Sequence, residues 1–322
     1  MTRLLLLLEM PREIQEQYYQ RLKQRFPQLL IDLADHHSKV GPYISSADIL
    51  ITFAPMLTDD VLREAKKLKW VQALGTGVDN MIDLPSLRPN VIITNVHGIH
   101  GPAMSEAAIM AMLALSRNFP KVVRNQDRHV WERWPASLLE GKTVGILGVG
   151  AISETLAARC KALGMTAVGI SSVKRDVASF DQIYLRDQLL AAVIDLDYLV
   201  ILTPYSPETH YIVNAAVFSS MKPTAYLINL ARGGVVDEDA LIRALRENQI
   251  AGAALDVFRE EPLPEDHPFW SMKNVIVTPH LAGFNDRYAS QALPLVEENV
   301  QKFLAGEVDH MVNVVRRGAP PV

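Results

Sequence analysis

Cysteine is almost absent from this chain: Cys160 is the single thiol among 322 residues. One cysteine cannot close an internal disulfide, which removes the disulfide-stapled secreted scaffolds and fits a reducing, cytoplasmic home. Long apolar runs are also missing. Leu4–Leu8 lies behind Arg3 but is ended by Glu9, and Ala107–Leu115, though longer, falls far short of the ~20 residues a membrane span needs. Neither has the length and small-residue cleavage site of a secretory leader, so a soluble protein is expected. An excess of positive charge is lacking too. Lys and Arg total 32 against 36 Asp and Glu, a formal net charge of −4, so nothing advertises nucleic acid or an anionic membrane. Repeats, low-complexity tracts and long charge runs are absent, so any linkers between domains are short.

What is present is ordinary globular material. Hydrophobic residues make up 49% and charged residues 21%, and at ~150 residues per domain the length suggests two domains. Strand-like and helix-like runs alternate from end to end, the pattern of parallel α/β sheets. Short buried strands are expected at Leu4–Leu8, Leu29–Leu33, Ile49–Phe53, Trp70–Ala73 and Val91–Thr94. Ile14, Tyr18, Leu22 and Phe26 recur every fourth residue and mark one helix face. Met104–Arg117 reads as a nearly all-apolar helix, and Pro120–Trp131 as a more polar one. Further strands are expected at Thr143–Leu147, Ala167–Ile170, Tyr198–Leu202, Ala225–Asn229, Gly252–Asp256 and Val275–Thr278. A last helix runs from Asp286 to Ala305, interrupted by Pro294 and stopped by Gly306.

Thr143 to Ser153 reads as a strand, a glycine turn and a helix start, with Gly148, Gly150, Ala151 and Ile152 at the turn. Gly148 permits the tight turn, and Gly150 lets a pyrophosphate approach the backbone. The helix start offers free N–H groups and a positive dipole end to phosphates. Ser153 stands where the fingerprint has its third glycine, a position that asks for a small residue. Ser171 ends the second strand, 23 residues after Gly148, where an NAD site usually carries an acidic residue for the ribose hydroxyl. With no carboxylate there, and with Ser172, Lys174 and Arg175 following, the loop favours NADP over NAD.

Three polar segments follow buried strands at the carboxyl ends where ligands of parallel sheets bind. They are Asn229–Gly234 around Arg232, Leu255–Pro262 with Asp256 and Glu261, and Val277–Gly283 with His280. Together with Gly75-Thr76-Gly77-Val78-Asp79-Asn80, Asn95–Glu106, Met221-Lys222-Pro223 and the glycine loop, these stretches resemble the D-isomer-specific 2-hydroxyacid dehydrogenase family across nearly the whole chain. The resemblance implies hydride transfer between NAD(P) and a small 2-oxo or 2-hydroxy acid. His280 is then the proton donor to the carbonyl oxygen. Glu261 bonds the other ring nitrogen, fixing the tautomer and favouring the protonated ring. Arg232 forks onto the carboxylate and keto oxygen, the amides of Thr76 and Gly77 hold the carboxylate, and Asp256 lies near the nicotinamide carboxamide.

The sequence also departs from the family pattern. Ala151 stands where many relatives carry a base against the pyrophosphate. Glu261, in place of the glutamine of formate-oxidising relatives, argues against that chemistry. Little chain follows the last helix, so no regulatory domain is expected. Trp131-Glu132-Arg133-Trp134 resembles the tryptophan pair of glyoxylate/hydroxypyruvate reductases, which implies that Trp134 reaches a neighbouring subunit's pocket in a homodimer built through Met104–Trp134. A rim tryptophan packed on its own subunit is the competing reading. His36–His37 shows no metal-ligand partner at usable spacing, and no metal is expected. His97 and His100 lie near the expected domain hinge, where contact with substrate competes with the favoured reading as solvent-facing loop residues, and His129, His210, His267 and His310 read as surface.

The expected fold is therefore two Rossmann-like or flavodoxin-like α/β domains with the active site in the interdomain cleft, closing by hinge motion. Residues 1–99 and 285–322 form the discontinuous substrate domain, and 100–284 the dinucleotide domain. The expected reaction is reduction of a small 2-oxo acid, with glyoxylate and hydroxypyruvate the leading substrates and Phe53–Met56 a modest apolar subsite. Phosphoglycerate or phosphite dehydrogenase, and a dinucleotide-sensing corepressor-like binding protein, remain alternatives.

Overall fold

The structure, a computed structural model, describes residues 1–79 and 81–316; Asn80 of the Gly75–Asn80 motif lies outside the described residues. Two compact units share the chain: Met1–Ile99 with Asp286–Val322, and His100–Asn285. The second crossing falls one residue beyond the expected 284/285 boundary.

The first unit opens with β1 (Arg3–Leu7), α1 (Arg12–Arg25), β2 (Leu30–Ala34), α2 (Gly41–Ile44), β3 (Ile49–Thr52), α3 (Asp59–Glu64), β4 (Trp70–Ala73) and β5 (Ile92–Thr94). The second unit carries α4 (Gly101–Ser116), α5 (Phe119–Asp127), β6 (Thr143–Leu147), α6 (Ala151–Ala162), β7 (Thr166–Ser171), β8 (Gln182–Leu185), α7 (Leu189–Ala192) and β9 (Tyr198–Ile201). It continues with α8 (Ala215–Ser220), β10 (Tyr226–Asn229), α9 (Glu238–Arg246), β11 (Gly252–Leu255) and β12 (Val275–Val277). The chain then returns to the first unit with α10 (Tyr288–Ala305) and β13 (Val314–Arg316).

The unbroken leucines of β1 follow from burial on both faces. Leu5 and Leu7 enter one apolar cluster, while Leu4, Leu6 and Leu8 enter the other. A strand covered on both sides loses the alternation of a half-exposed one. In α1, Tyr18 and Leu22 pack inward as the fourfold spacing requires. The first sheet runs β13-β5-β4-β3-β1-β2, parallel except for β13. A buried polar relay fastens α10 and β13 to it. Trp70 Nε1 donates to Thr94 Oγ1 at 2.8 Å, and Thr94 Oγ1 donates to Gln72 Oε1 at 2.8 Å. Asn299 Nδ2 donates to Gln72 Oε1 and to the Val312 carbonyl, both at 3.1 Å, while its Oδ1 accepts the Val312 N–H at 2.8 Å.

The second sheet is parallel throughout, in the order β12-β11-β10-β9-β6-β7-β8. Its two faces again divide alternate residues: Leu147, Ile201 and Leu255 go to one cluster, and Ile146, Val200 and Ala254 to the other. Strand order reverses between β6 and β9, the topological switch point at which open α/β sheets bind ligands. Pro102 is compatible with a first helical turn, so α4 starts three residues earlier than the apolar pattern alone implies. The expected helix Pro120–Trp131 stops sooner, at Asp127.

Candidate active site

The switch point holds the glycine turn. Gly148 has φ +104°, and a Cβ there would lie 2.7 Å from the Thr203 amide nitrogen that follows β9. A side chain is therefore excluded both by backbone conformation and by the neighbouring strand. A Cβ on Gly150 would meet nothing within 4 Å, so the backbone ahead of α6 faces open space. Ser153 is buried and does more than keep the packing small: its Oγ accepts the Gly150 N–H at 2.7 Å and donates to the Gly150 carbonyl at 2.8 Å. Ala151 and Ile152 form the first turn of α6, whose dipole points its positive end at that space. This cradle fits a pyrophosphate. Ser171 closes β7 and is buried, accepting the Val173 N–H at 3.3 Å. Arg175 Nη1 donates to the Val149 carbonyl at 2.8 Å, which brings the guanidinium to the glycine turn. Lys174 is exposed.

The adjacent strands β10, β11 and β12 deliver the other polar segments side by side. After β10, Asn229 Oδ1 accepts the Ala231 N–H at 3.1 Å and its Nδ2 donates to the Arg232 carbonyl at 3.0 Å, pinning the turn on which Arg232 sits. Arg232 Nη1 donates to the Ala231 carbonyl at 2.7 Å. Asp237 caps α9 by accepting the Ala240 N–H at 3.0 Å, so its carboxylate belongs to the helix end. After β11, Glu261 Oε1 accepts the Phe258 N–H at 2.9 Å, and its Oε2 lies 2.7 Å from His280 Nδ1. Burial works against ionisation of Glu261, but the His280 hydrogen bond, the Phe258 N–H and the nearby charge of Arg232 outweigh it and hold the carboxyl below its usual range. With Nδ1 committed to the carboxylate, Nε2 is the ring nitrogen able to exchange a proton with a ligand.

His280 itself has φ +52°, in the left-handed region that disfavours side chains other than glycine. Asp256 holds it there. The Asp256 carbonyl accepts the His280 N–H at 2.9 Å, and its buried carboxylate accepts from Thr278 Oγ1 at 2.5 Å and from the Leu281 and Ala282 amides, each at 2.9 Å. Sequence reasoning placed Asp256 with the cofactor; here its carboxylate is engaged by the loop that presents the imidazole. Strained backbone at a polar site, held by surrounding hydrogen bonds, is a mark of a functional position.

Other expectations meet the structure unevenly. In the first unit, Thr76 and Gly77 follow β4, and Asn95 Nδ2 fixes their loop by donating to the Thr76 carbonyl at 2.7 Å. Of the expected apolar subsite, Ala54 is buried in that unit's own core and Phe53 is partly buried with its ring toward Tyr288. Trp134 is half-buried on its own chain. Its Nε1 donates to the Arg117 carbonyl at 3.4 Å and Lys121 lies over its ring. It also lines a cavity with Tyr226, Ala251 and Asn274, at the amino ends of β10–β12 and opposite the loops that carry Arg232, Glu261 and His280. Trp131 is the tryptophan that stands free, at 93% exposure.

Among the histidines, His100 is buried rather than solvent-facing, and His267 lies half-buried beside Glu238, not on the surface. His210 is hydrogen-bonded to Tyr205 and stacked on Tyr211. His36–His37 does acquire a companion that sequence distance hid: the register of β1 with β2 brings Glu9 alongside. One ligand atom from each of Glu9, His36 and His37 lies within 4.8 Å of the others, and His36 Nε2 is 3.8 Å from Glu9 Oε1. Cys160 is buried, and burial pushes its thiol up to about 12, which leaves it unreactive.

Residues 109–282 match the family described as "D-isomer specific 2-hydroxyacid dehydrogenase, NAD binding domain". A glyoxylate reductase of Korarchaeum cryptofilum is 31% identical, with 92% of each chain covered. A D-3-phosphoglycerate dehydrogenase of Methanocaldococcus jannaschii is 34% identical over 84% of this chain but only 52% of its own, so the chain spans about half the length of that relative. Among solved structures, an NADPH-dependent glyoxylate/hydroxypyruvate reductase of Sinorhizobium meliloti in complex with NADP and sulfate superposes with a TM-score of 0.84, at 29% identity and 98% coverage of both chains.

Proposed function

This chain belongs to the D-isomer-specific 2-hydroxyacid dehydrogenase family, and from that premise we propose that it reduces a small 2-oxo acid to the D-2-hydroxy acid with NAD(P)H. The observation that carries the reading is the His280–Glu261 pair at 2.7 Å, set on the loops that adjoin the Arg232 turn. Bound dihydronicotinamide supplies the hydride to the carbonyl carbon. His280 gives its Nε2 proton to the carbonyl oxygen, and Glu261 stabilises the imidazolium from which that proton leaves. Arg232 binds the carboxylate and polarises the keto oxygen. The amides of Thr76 and Gly77 hold the carboxylate. Gly148, Gly150, Ala151 and Ile152 receive the pyrophosphate.

NADP is the proposed cofactor. Ser171 offers a hydroxyl where a carboxylate would repel the 2′-phosphate, and Lys174 and Arg175 supply charge. The NADP-bound Sinorhizobium structure supports this reading. Glyoxylate and hydroxypyruvate are the proposed substrates, supported by the glyoxylate reductase that aligns along 92% of both chains. A cytoplasmic homodimer completes the proposal. Among the described residues, no helix is long and apolar enough to cross a membrane.

The test follows NADPH and NADH absorbance against a panel of 2-oxo acids, 3-phosphohydroxypyruvate included. Turnover of glyoxylate or hydroxypyruvate with preference for NADPH is expected. In the same assay His280→Ala should cut kcat by ~10²–10⁴ while dinucleotide affinity is retained. A preference for the phosphorylated acid would move the substrate assignment to phosphoglycerate chemistry. No turnover of any acid, with dinucleotide binding intact, would replace the enzyme reading with a sensing one.

A further inference from the structure

A buried carboxylate outside the catalytic trio touches the loop that carries it. Glu238 opens α9, immediately after the Arg232 turn, and is buried. Its Oε1 accepts the backbone N–H of Arg259 at 2.5 Å. Its Oε2 lies 3.8 Å from His267 Nε2, and His267 Nδ1 accepts the Phe269 N–H at 3.4 Å, which places the ring proton on Nε2, facing the carboxylate. Burial raises the Glu238 carboxyl above its ordinary value, opposed by the Arg259 amide and the charges of Arg259 and His267. A helix start needs only a cap, and Asp237 already supplies it. Burying a second carboxylate there is costly unless it is put to use.

The Arg259 amide belongs to the peptide that joins Phe258 to Arg259, and that peptide is gripped on another side as well. A Cβ on Gly233 would fall 1.9 Å from the Phe258 carbonyl carbon and 2.3 Å from the Arg259 nitrogen. The turn that bears Arg232 therefore rests directly on it. The same Phe258 donates its N–H to Glu261 Oε1, and Glu261 Oε2 holds His280. One peptide thus sits between the guanidinium's turn and the carboxylate–imidazole pair, and Glu238 is the side chain that hydrogen-bonds it to the helix following Arg232.

We propose that Glu238 is a positioning residue that fixes the Phe258–Arg259 peptide and thereby sets the placement of Glu261 and His280 relative to Arg232. It touches neither substrate nor cofactor. The inference rests on the roles given above to Arg232, Glu261 and His280. Its chemistry is acceptance of one backbone N–H, so what matters is an oxygen at that place rather than a charge.

The experiment compares Glu238→Ala and Glu238→Gln with the parent full-length protein. Glu238→Ala should lower kcat by ~10–100-fold, the penalty of loosening a reacting group by ~1 Å, with dinucleotide affinity kept. Glu238→Gln retains an acceptor for Arg259 and turns its amide nitrogen toward His267, beyond hydrogen-bond distance, so it should recover most of the loss. A purely structural role would lower Tm and leave kcat per folded molecule alone. Proton NMR gives a readout independent of turnover: the downfield Nδ1–H signal of His280, which reports its bond to Glu261, should broaden or move upfield in Glu238→Ala and return in Glu238→Gln. Should Glu238→Ala not fold, Glu238→Leu keeps an apolar stem of similar size without an acceptor for the Arg259 N–H and should give the same kinetic and spectral signature. Parental kcat and an unmoved His280 signal in the folded alanine variant would overturn the proposal, as would a glutamine variant as impaired as alanine. A parent protein that reduces no 2-oxo acid would instead refute the proposed reaction, while the His280 signal would still decide this inference.

Discussion

At the scale of single residues, the site is a set of side chains whose freedom has been removed. His280 is held at φ +52° by Asp256 and oriented by Glu261, so its reactive nitrogen has one direction to face. The pair has a thermodynamic signature. Because Glu261 sits below its ordinary carboxylate range in the folded protein, folding favours its ionised form. Its contribution to stability is complete above the ordinary value and is lost as the pH falls through the depressed one. Glu261→Gln removes that proton linkage. Thermal unfolding followed from pH 7 downward should show the parent losing Tm more steeply than Glu261→Gln across the acidic carboxylate range. Parallel curves would mean that the carboxylate is not stabilised by its partners. Sequence reading reached Arg232, Glu261 and His280 because they occur in an ordered set of loop motifs. It did not reach the hydrogen bonds that Asp256 accepts from Thr278, Leu281 and Ala282, since these depend on how a loop closes.

At the scale of elements, the same local rule explains what was legible and what was not. Strands buried on both faces appear as unbroken apolar runs, and β1, β3, β6 and β9 are read correctly from them. β8 and β13 escape notice because neither is a run of fully buried apolar residues. Gln182–Leu185 is only partly buried, and Val314–Arg316 is three residues long and pairs antiparallel to β5. β13 is held by contacts distant in sequence, through Asn299 of α10, which receives and gives hydrogen bonds at Val312. Asn299→Ala would leave the Val312 amide and carbonyl and the Gln72 oxygen short of a partner. Each unsatisfied buried group costs ~1–3 kcal/mol. Urea unfolding should show a loss of ~2–4 kcal/mol on that basis, and hydrogen exchange should show reduced protection in β13. A change within experimental error would mean that this relay is incidental to the fold.

At the scale of the whole molecule, one stretch of chain gathers several exposed apolar residues. Met110 and Leu113 on α4, Phe119, Val122 and Val123 on α5, and Trp131 beyond it fall in one stretch of chain and are left uncovered. Apolar surface concentrated in this way points to a partner, and the proposed homodimer is the partner that the segment suits. Sedimentation should give a dimer for the parent protein. Phe119→Glu with Val123→Glu should shift it to monomer while the second unit keeps its fold by circular dichroism. A parent protein that is monomeric at micromolar concentration would remove the dimer from the proposal, and with it any reach of a tryptophan into a neighbour.

The amino-acid sequence by itself determined the α/β class, the glycine turn and the three polar side chains of the proposed site. Apolar periodicity, glycine at a turn and polar residues after strands are written in neighbouring positions, and short-range sterics act on them directly. Tertiary structure alone decided that β6 and β9 flank the switch point, that Asp256 serves the His280 loop, that Trp134 turns back on its own chain, and that Glu238 meets the Arg259 amide. Each of these depends on which distant segments share a sheet edge or a buried space, and burial and hydrogen-bond partnership are properties of that packing rather than of any local stretch of sequence.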